Sequence, residues 1–190
     1  MGEQLLDLEQ LAVHNGSAFG GLGKIPQPSQ DDFEKLIQEK LNSFDAKFPV
    51  WVEYESYYLG KLQIPDYLIQ QMKQGKMIVI EIERQVRIRR IIEEYSKFSA
   101  DELLAAVTKV KKKLSQKKYR VARRSIRQKD FQSVVSILLN YYDKAYENGL
   151  SDTEYDVLGK LNLAETAARN QAIQLMDFYK TQLHKSENPG

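Results

Sequence analysis

The chain has 190 residues, of which 42% are hydrophobic, with a net charge of +2, no cysteine and two histidines. That composition suits one ordinary domain with a real core. It excludes cysteine nucleophiles, thiolate zinc sites and any persulfide carrier on this chain, and fits a reducing compartment. Apolar runs such as Met77-Ile78-Val79-Ile80 fall far short of the ~20 residues that span a bilayer, and no signal-peptide pattern opens the chain, so the expectation is a cytoplasmic protein with no membrane association.

In chain order, residues 4 to 9 read as a short strand. The glycine-rich loop His14-Asn15-Gly16-Ser17-Ala18-Phe19-Gly20-Gly21-Leu22-Gly23-Lys24 follows. Glycines let backbone approach a ligand closely, and a lysine there can meet a phosphate. The spacing nevertheless misses a phosphate loop: Ala18 stands at the first glycine position, and Ile25 where a magnesium-binding hydroxyl belongs. Pro26 and Pro28 stiffen the approach to Ser29, an N-cap for a helix to about Phe44, with Phe33, Leu36, Ile37, Lys40 and Leu41 on one stripe. Pro49 to Glu53 reads as a buried strand, Ile64-Pro65-Asp66 opens a helix closed by Gly75, and Lys76 to Glu81 is a third strand.

From Arg84 the pattern turns helical. Val86, Ile88, Ile91, Ile92 and Tyr95 form one stripe, Ser99 to Glu102 caps the next helix, Asp130 starts another, and 152 to 184 reads as helix. The expected fold class is α/β, a partial P-loop-type parallel sheet of about three strands followed by a helical C-terminal extension. The expected organisation is an α/β region over 1–83, a helical region over 84–185 with a basic segment at 103–129, and a frayed tail at 186–190.

Between Leu103 and Lys129 stand eleven Lys/Arg and no acid, leaving the rest of the chain with 17 basic and 26 acidic residues, a net of −9. A block of one sign and this length points to a polyanion. Lys111, Lys112, Lys113, Lys117, Lys118, Arg120, Arg123, Arg124 and Arg127 are the candidate nucleic-acid contacts, with Tyr119 among them; the plain alternative is a solvated helix face. Glu53 and Glu55 end an apolar strand and share one side of it. That is the position of a magnesium-water ligand or general base in α/β nucleotide enzymes, or of two solvated edge glutamates. His14 beside Gly16 and Ser17 is a candidate phosphate ligand or proton donor, or else simply an exposed or capping residue. Tyr141-Tyr142-Asp143 with Tyr146 offers stacking surface, although such spacing more often builds core. No zinc-type ligand set and no nucleophile elbow occurs.

Leu6-Asp7-Leu8-Glu9-Gln10-Leu11-Ala12, His14-Asn15-Gly16-Ser17-Ala18-Phe19-Gly20, Pro26-Gln27-Pro28-Ser29-Gln30 with Phe33-Glu34, Trp51-Val52-Glu53-Tyr54-Glu55-Ser56 and Tyr141-Tyr142-Asp143 occur in an order that resembles the tRNA 2-selenouridine synthase family over most of residues 4 to 146. The resemblance implies a P-loop domain, normally joined to a rhodanese domain, that replaces the sulfur of wobble 2-thiouridine in tRNA with selenium from selenophosphate through a geranylated intermediate. It departs at Asn15, where the family has arginine, and at Tyr54, which interrupts a more acidic run. The family's Walker A loop and its rhodanese cysteine have no counterpart in this sequence. The expectation is therefore a fragment or one chain of a split synthase, a transferase weak alone, with a companion chain carrying the rhodanese domain and Walker A loop. In it, His14, Gly16, Ser17, Gly20 and Gly21 line the site for selenophosphate or geranyl diphosphate. Glu53, Glu55 and His14 do the chemistry, and the basic segment holds tRNA. No complete cofactor motif is present; magnesium is the candidate ion. The alternative is a non-catalytic tRNA-binding or assembly module.

Overall fold

A computed structural model describes residues 2–151, 155–164 and 167–187. The chain divides into two compact units. One is built from the residues up to Ile69 with Phe98–Ile126, the other from Gln70–Lys97 with the residues from Arg127 onward. Both units are discontinuous in sequence, so neither follows a division at residue 83.

In the first unit, β1 (Gln4–Leu6) pairs in parallel with β2 (Val50–Val52), Leu6 opposite Val52. Period-2 alternation buries Leu6 and leaves Leu5 half exposed. The strand ends sooner than residue 9. Asp7 accepts a hydrogen bond from the Gln10 N–H at 2.8 Å and caps helix α1 (Leu8–Ala12), a local side-chain bond that outcompetes further extension. Helix α2 (Gln30–Asn42) starts at the expected Ser29, whose hydroxyl accepts from the Asp32 N–H. Of the expected stripe only Phe33 and Ile37 are buried; Leu36 is exposed, because α2 covers its narrow neighbours with a single ridge. Strand β2 is likewise less buried than its apolar sequence suggests, with Val50 exposed, since β1 is its one partner among the described residues.

A hairpin absent from the sequence reading follows, β3 (Tyr58–Leu59) and β4 (Leu62–Gln63). Its strands are two residues long, too short for alternation to register. Gly60 at the first central position has φ +63°, the requirement of a II′ turn. Leu6, Leu8, Phe33, Ile37, Leu59, Leu62 and Ile64 form the interior here, each 2% exposed or less. Pro65 precedes α3 (Asp66–Lys73), its carbonyl accepting from the Leu68 and Ile69 N–H groups. After Ser99, α5 (Ala100–Lys109) carries a full capping box with Glu102. A 3₁₀ turn (Lys111–Lys113) and α6 (Gln116–Arg127) complete the unit's chain.

In the second unit, β5 (Lys76–Ile82) pairs in parallel with β6 (Asp156–Leu163). The α/β class with parallel pairing is what the chain adopts; β5 pairs with β6 within its own unit, and the β1–β2 pair is a separate two-stranded sheet. The helix expected over 152–184 is corrected accordingly. Residues 156–163 are strand, since β5 supplies a seven-pair parallel ladder, from Lys76 opposite Asp156 to Ile82 opposite Leu163, that an isolated helix lacks. Residues 152–154, 165 and 166 of that expectation lie outside the described residues. From Ala168 the chain is helical as expected, in α8 (Ala168–Glu187). It continues into the tail expected to fray from 186, of which residues 188–190 lie outside the described residues. Helix α4 (Arg84–Tyr95) lays Ile88, Ile91 and Ile92 against Val135 and Leu139 of α7 (Phe131–Ser151).

Candidate anion and nucleic-acid site

The parallel pairing of β1 and β2 brings the segments beyond their carboxyl ends together, the position where open α/β sheets bind ligands. Two different environments form there. The first is acidic. Glu53 accepts a hydrogen bond from the Glu9 N–H at 2.8 Å, so one of the expected catalytic carboxylates holds the first turn of α1. Glu55 and Glu9 are hydrogen-bonded through their side chains. Burial, then the Glu9 and Glu53 charges, then that hydrogen bond, push Glu55 up to about 7. Burial and Glu53 raise Glu9 as well, and burial raises Glu53. The three carboxyls titrate as a group and hold a proton between Glu9 and Glu55 toward neutral pH. Gly16, at φ +63°, closes over them: a Cβ there would stand 2.8 Å from a Glu55 oxygen and 2.9 Å from one of Glu9.

A magnesium ion needs near-octahedral oxygen ligation. Among the described residues no group of three or more His, Asp or Glu is arranged to hold a metal, and the Glu9–Glu55 pair uses its oxygens on one another. These residues do not fit a protein-built magnesium site.

The second environment is basic, a cavity of about 650 Å³ lined by Val13, His14, Gly16, Ser17, Ala18, Gly21, Lys24, Ile25, Pro26, Gln27, Tyr58, Gly60, Lys61 and Lys109. That volume is in the range of small-molecule sites. Val13 ends α1 in the left-handed region, φ 52°, which is strained for a β-branched residue and turns the chain so that His14 faces the glycine-rich loop. The imidazole is 6% exposed, and its Nδ1 is buried with no hydrogen-bond partner among the described residues. Burial, then Lys109 and Lys24, lower its pKa, so it is neutral at pH 7. Gly20 and Gly60 both pack close to this ring: a Cβ at Gly20 would stand 2.7 Å from the Asn15 backbone and 2.9 Å from the ring, and one at Gly60 would run into the Gln27 side chain and stand 2.8 Å from the ring. The Gln27 amide fixes the wall, donating to the Ala12 and Leu59 carbonyls and accepting from the Lys61 N–H.

Of the expected site residues, His14, Gly16, Ser17 and Gly21 line this cavity. Gly20 lies buried behind the ring, and Glu53 and Glu55 are on the acidic side of Gly16, outside the cavity lining. The sequence reading singled out Lys24 as a lysine that can meet a phosphate and counted Lys109 in the basic block, but it did not place Lys61, Lys109, Gln27 or Tyr58 at this site. The order of Pro26-Gln27-Pro28 hinted at Gln27, but Lys61 and Lys109 carry no local signal, because only the hairpin and α5 bring them to the loop.

Lys109 ends α5, and the basic segment runs on from it. Lys111, Lys112, Lys113, Lys117, Lys118, Arg120, Arg124 and Arg127 are exposed and Arg123 is half-buried. None makes an ion pair among the described residues. The helical period of α6 turns Tyr119, Ala122, Ser125 and Ile126 inward and the cations outward. Tyr119 is a fastener, 8% exposed with its hydroxyl 3.1 Å from Thr108 Oγ1, and the Lys111 and Arg123 cations each lie 5.6 Å from its ring centre. In the other unit, Asp143 of the Tyr141-Tyr142-Asp143 motif binds Arg84 and Arg87 and so ties α7 to α4.

Comparison with known proteins agrees with the motif order. A protein of Nitrosomonas europaea named tRNA 2-selenouridine synthase is 39% identical over 94 residues, 48% of this chain and 24% of that protein. One from Nitrosomonas eutropha is 35% identical over the same shares. One from Marinobacter nauticus is 27% identical over 184 residues, 80% of this chain and 50% of its own. The chain thus spans between about a quarter and a half of the length of these relatives. No solved structure matches it. The family model of the tRNA 2-selenouridine synthase AAA domain matches residues 2–175, and with nearly the whole chain inside that match, it is to this family that the chain belongs.

Proposed function

We propose that the chain serves tRNA wobble-uridine modification, the exchange of 2-thiouridine sulfur for selenium by way of a geranylated intermediate. The relatives' names give the tRNA and selenium parts of this reading; the geranyl step rests on the family resemblance. One observation carries the tRNA part for this chain: a run of cations from Lys109 to Arg127 with no ion-pair partner among the described residues, standing outward on a turn and a helix. Unpaired cations at that density release condensed counterions from a phosphate backbone, which is the main source of nucleic-acid affinity. His14, Ser17 and the neighbouring glycines would receive the phosphorylated small substrate, selenophosphate or geranyl diphosphate. Glu55, holding a proton near neutral pH, would serve as acid or base at the edge of that site, with Glu53 positioning α1 beside it. The cytoplasm, where tRNA is modified, is the proposed location. A rhodanese cysteine and a Walker A loop would come from a further segment or a companion chain.

The experiment is transfer of the geranyl group and of selenium to thiolated tRNA by the purified chain, with and without a protein carrying the rhodanese and Walker A parts. Salt-sensitive tRNA binding by the chain alone, with turnover in the combined reaction, is the expected result. Binding with no turnover in either reaction would favour a non-catalytic tRNA-binding module; no tRNA binding would sink both.

A further inference from the structure

The cavity beside the glycine-rich loop gathers three ammonium groups from three distant parts of the sequence. Lys24 comes from the loop, Lys61 from the β3–β4 turn and Lys109 from the end of α5. None has an ion-pair partner among the described residues. Bringing like charges together costs Coulomb energy that a fold tolerates where an anion offsets it. At the same wall stands His14, more than nine-tenths buried, with an unsatisfied ring nitrogen. A buried polar atom with no partner is rare enough to need an explanation, and a bound ligand or water supplies one.

We propose that this cavity is a phosphate-class anion site whose charge comes from Lys24, Lys61 and Lys109 and whose buried hydrogen-bonding partner is His14, and that Lys109 makes it continuous with the basic arm. The inference deepens the proposed function, resting on its assignment of His14 and Ser17 to a phosphorylated substrate and adding the three lysines and the link. The volume of about 650 Å³ accommodates more than a lone phosphate, and Ile25, Pro26 and Tyr58 give the rim an apolar side. Lys109 is followed after one residue by Lys111-Lys112-Lys113, so the cavity and the arm share one continuous positive field. Burial first, and then the Lys109 and Lys24 charges, hold the His14 pKa down, so an anion that offsets those charges raises it part of the way again.

Inorganic pyrophosphate is the probe, titrated into the full chain by calorimetry while the His14 ring resonances are followed by NMR across pH. Saturable binding that moves those resonances and raises the His14 pKa is expected. Lys24→Gln and Lys61→Gln should each weaken it about fivefold, the size of one partly solvated charge-assisted contact. Both lysines are exposed, so these variants should fold, and unchanged thermal melts verify it. Lys109→Gln should weaken pyrophosphate and tRNA binding together, whereas Lys112→Gln should weaken tRNA alone. If the three cavity variants bind pyrophosphate as the parent does, or the His14 resonances stay still, the proposal is overturned. Should tRNA displace pyrophosphate competitively, and K24Q and K61Q weaken tRNA as much as K112Q, the anion held is a tRNA backbone phosphate; without displacement it is a free phosphate ester. Pyrophosphate binding without any tRNA binding would overturn the proposed function and leave the cavity assignment standing.

Discussion

Glu55 sits where burial and two neighbouring carboxylates oppose its ionisation, so its titration belongs to the fold and not to the residue. Its pKa is raised from the ordinary 4.5 to about 7, so the folded state binds the proton more tightly than the unfolded chain does. That contribution to stability is fully present below pH 4.5 and is lost as pH rises through 7. After allowance for solvent screening it amounts to roughly 1–2 kcal/mol. Denaturation of Glu55→Gln between pH 4 and 8 should show a flatter profile than the parent and a higher midpoint at pH 8; parallel profiles would remove the shared proton. Val13 is a second residue whose state is set by its neighbours. Its left-handed φ of 52° suits glycine, and Val13→Gly should raise the unfolding free energy by up to about 1 kcal/mol, measured in urea. Neither residue announces this in sequence: Glu55 gains the Glu9 carboxyl from far along the chain, and Val13 takes a left-handed cap position, held by N–H bonds from Val13 and His14 to the Gln10 and Glu9 carbonyls, that its residue type does not favour.

At the level of elements, the helix starts were the most legible feature. Ser29 and Ser99 cap α2 and α5 with bonds to backbone three residues on, chemistry that is entirely local. Replacing Ser99 by Ala removes the capping box and should lower stability by about 1 kcal/mol in chemical denaturation. The Arg84 and Arg87 contacts to Asp143 join α4 to α7 across more than fifty residues of sequence. With side chains about a third exposed, they are worth on the order of 1 kcal/mol. Asp143→Asn should cost that much and speed amide exchange in α4 more than in α5. Strands were read less well. The sequence pattern predicts helix where β6 stands and gives no sign of the β3–β4 hairpin, since a strand of two residues or an eight-residue stretch broken by Gly159 gains its identity from the ladder beside it.

Over the whole molecule, the charge pattern is the property that sequence order carries most directly. Eleven cations without an acid among them must stay hydrated or meet a polyanion, whatever the fold. Changing Lys112, Lys113, Arg123 and Arg124 together to Gln should reduce the slope of log affinity for tRNA against log salt by about 3, with little loss of thermal stability; an unchanged slope would place tRNA elsewhere. The order of motifs likewise marked the family, because order along the chain survives without any knowledge of contacts. By itself, then, the sequence determined the α/β class, the helix caps, the family and the basic arm, all of which depend on neighbours a few residues apart or on linear order. Only the tertiary structure decided that Glu53 serves α1, that His14 is buried and neutral, and that Lys24, Lys61 and Lys109 surround one cavity. Those facts arise from parallel pairing and packing between segments up to about a hundred residues apart, and no local pattern encodes which distant charges a fold will bring together.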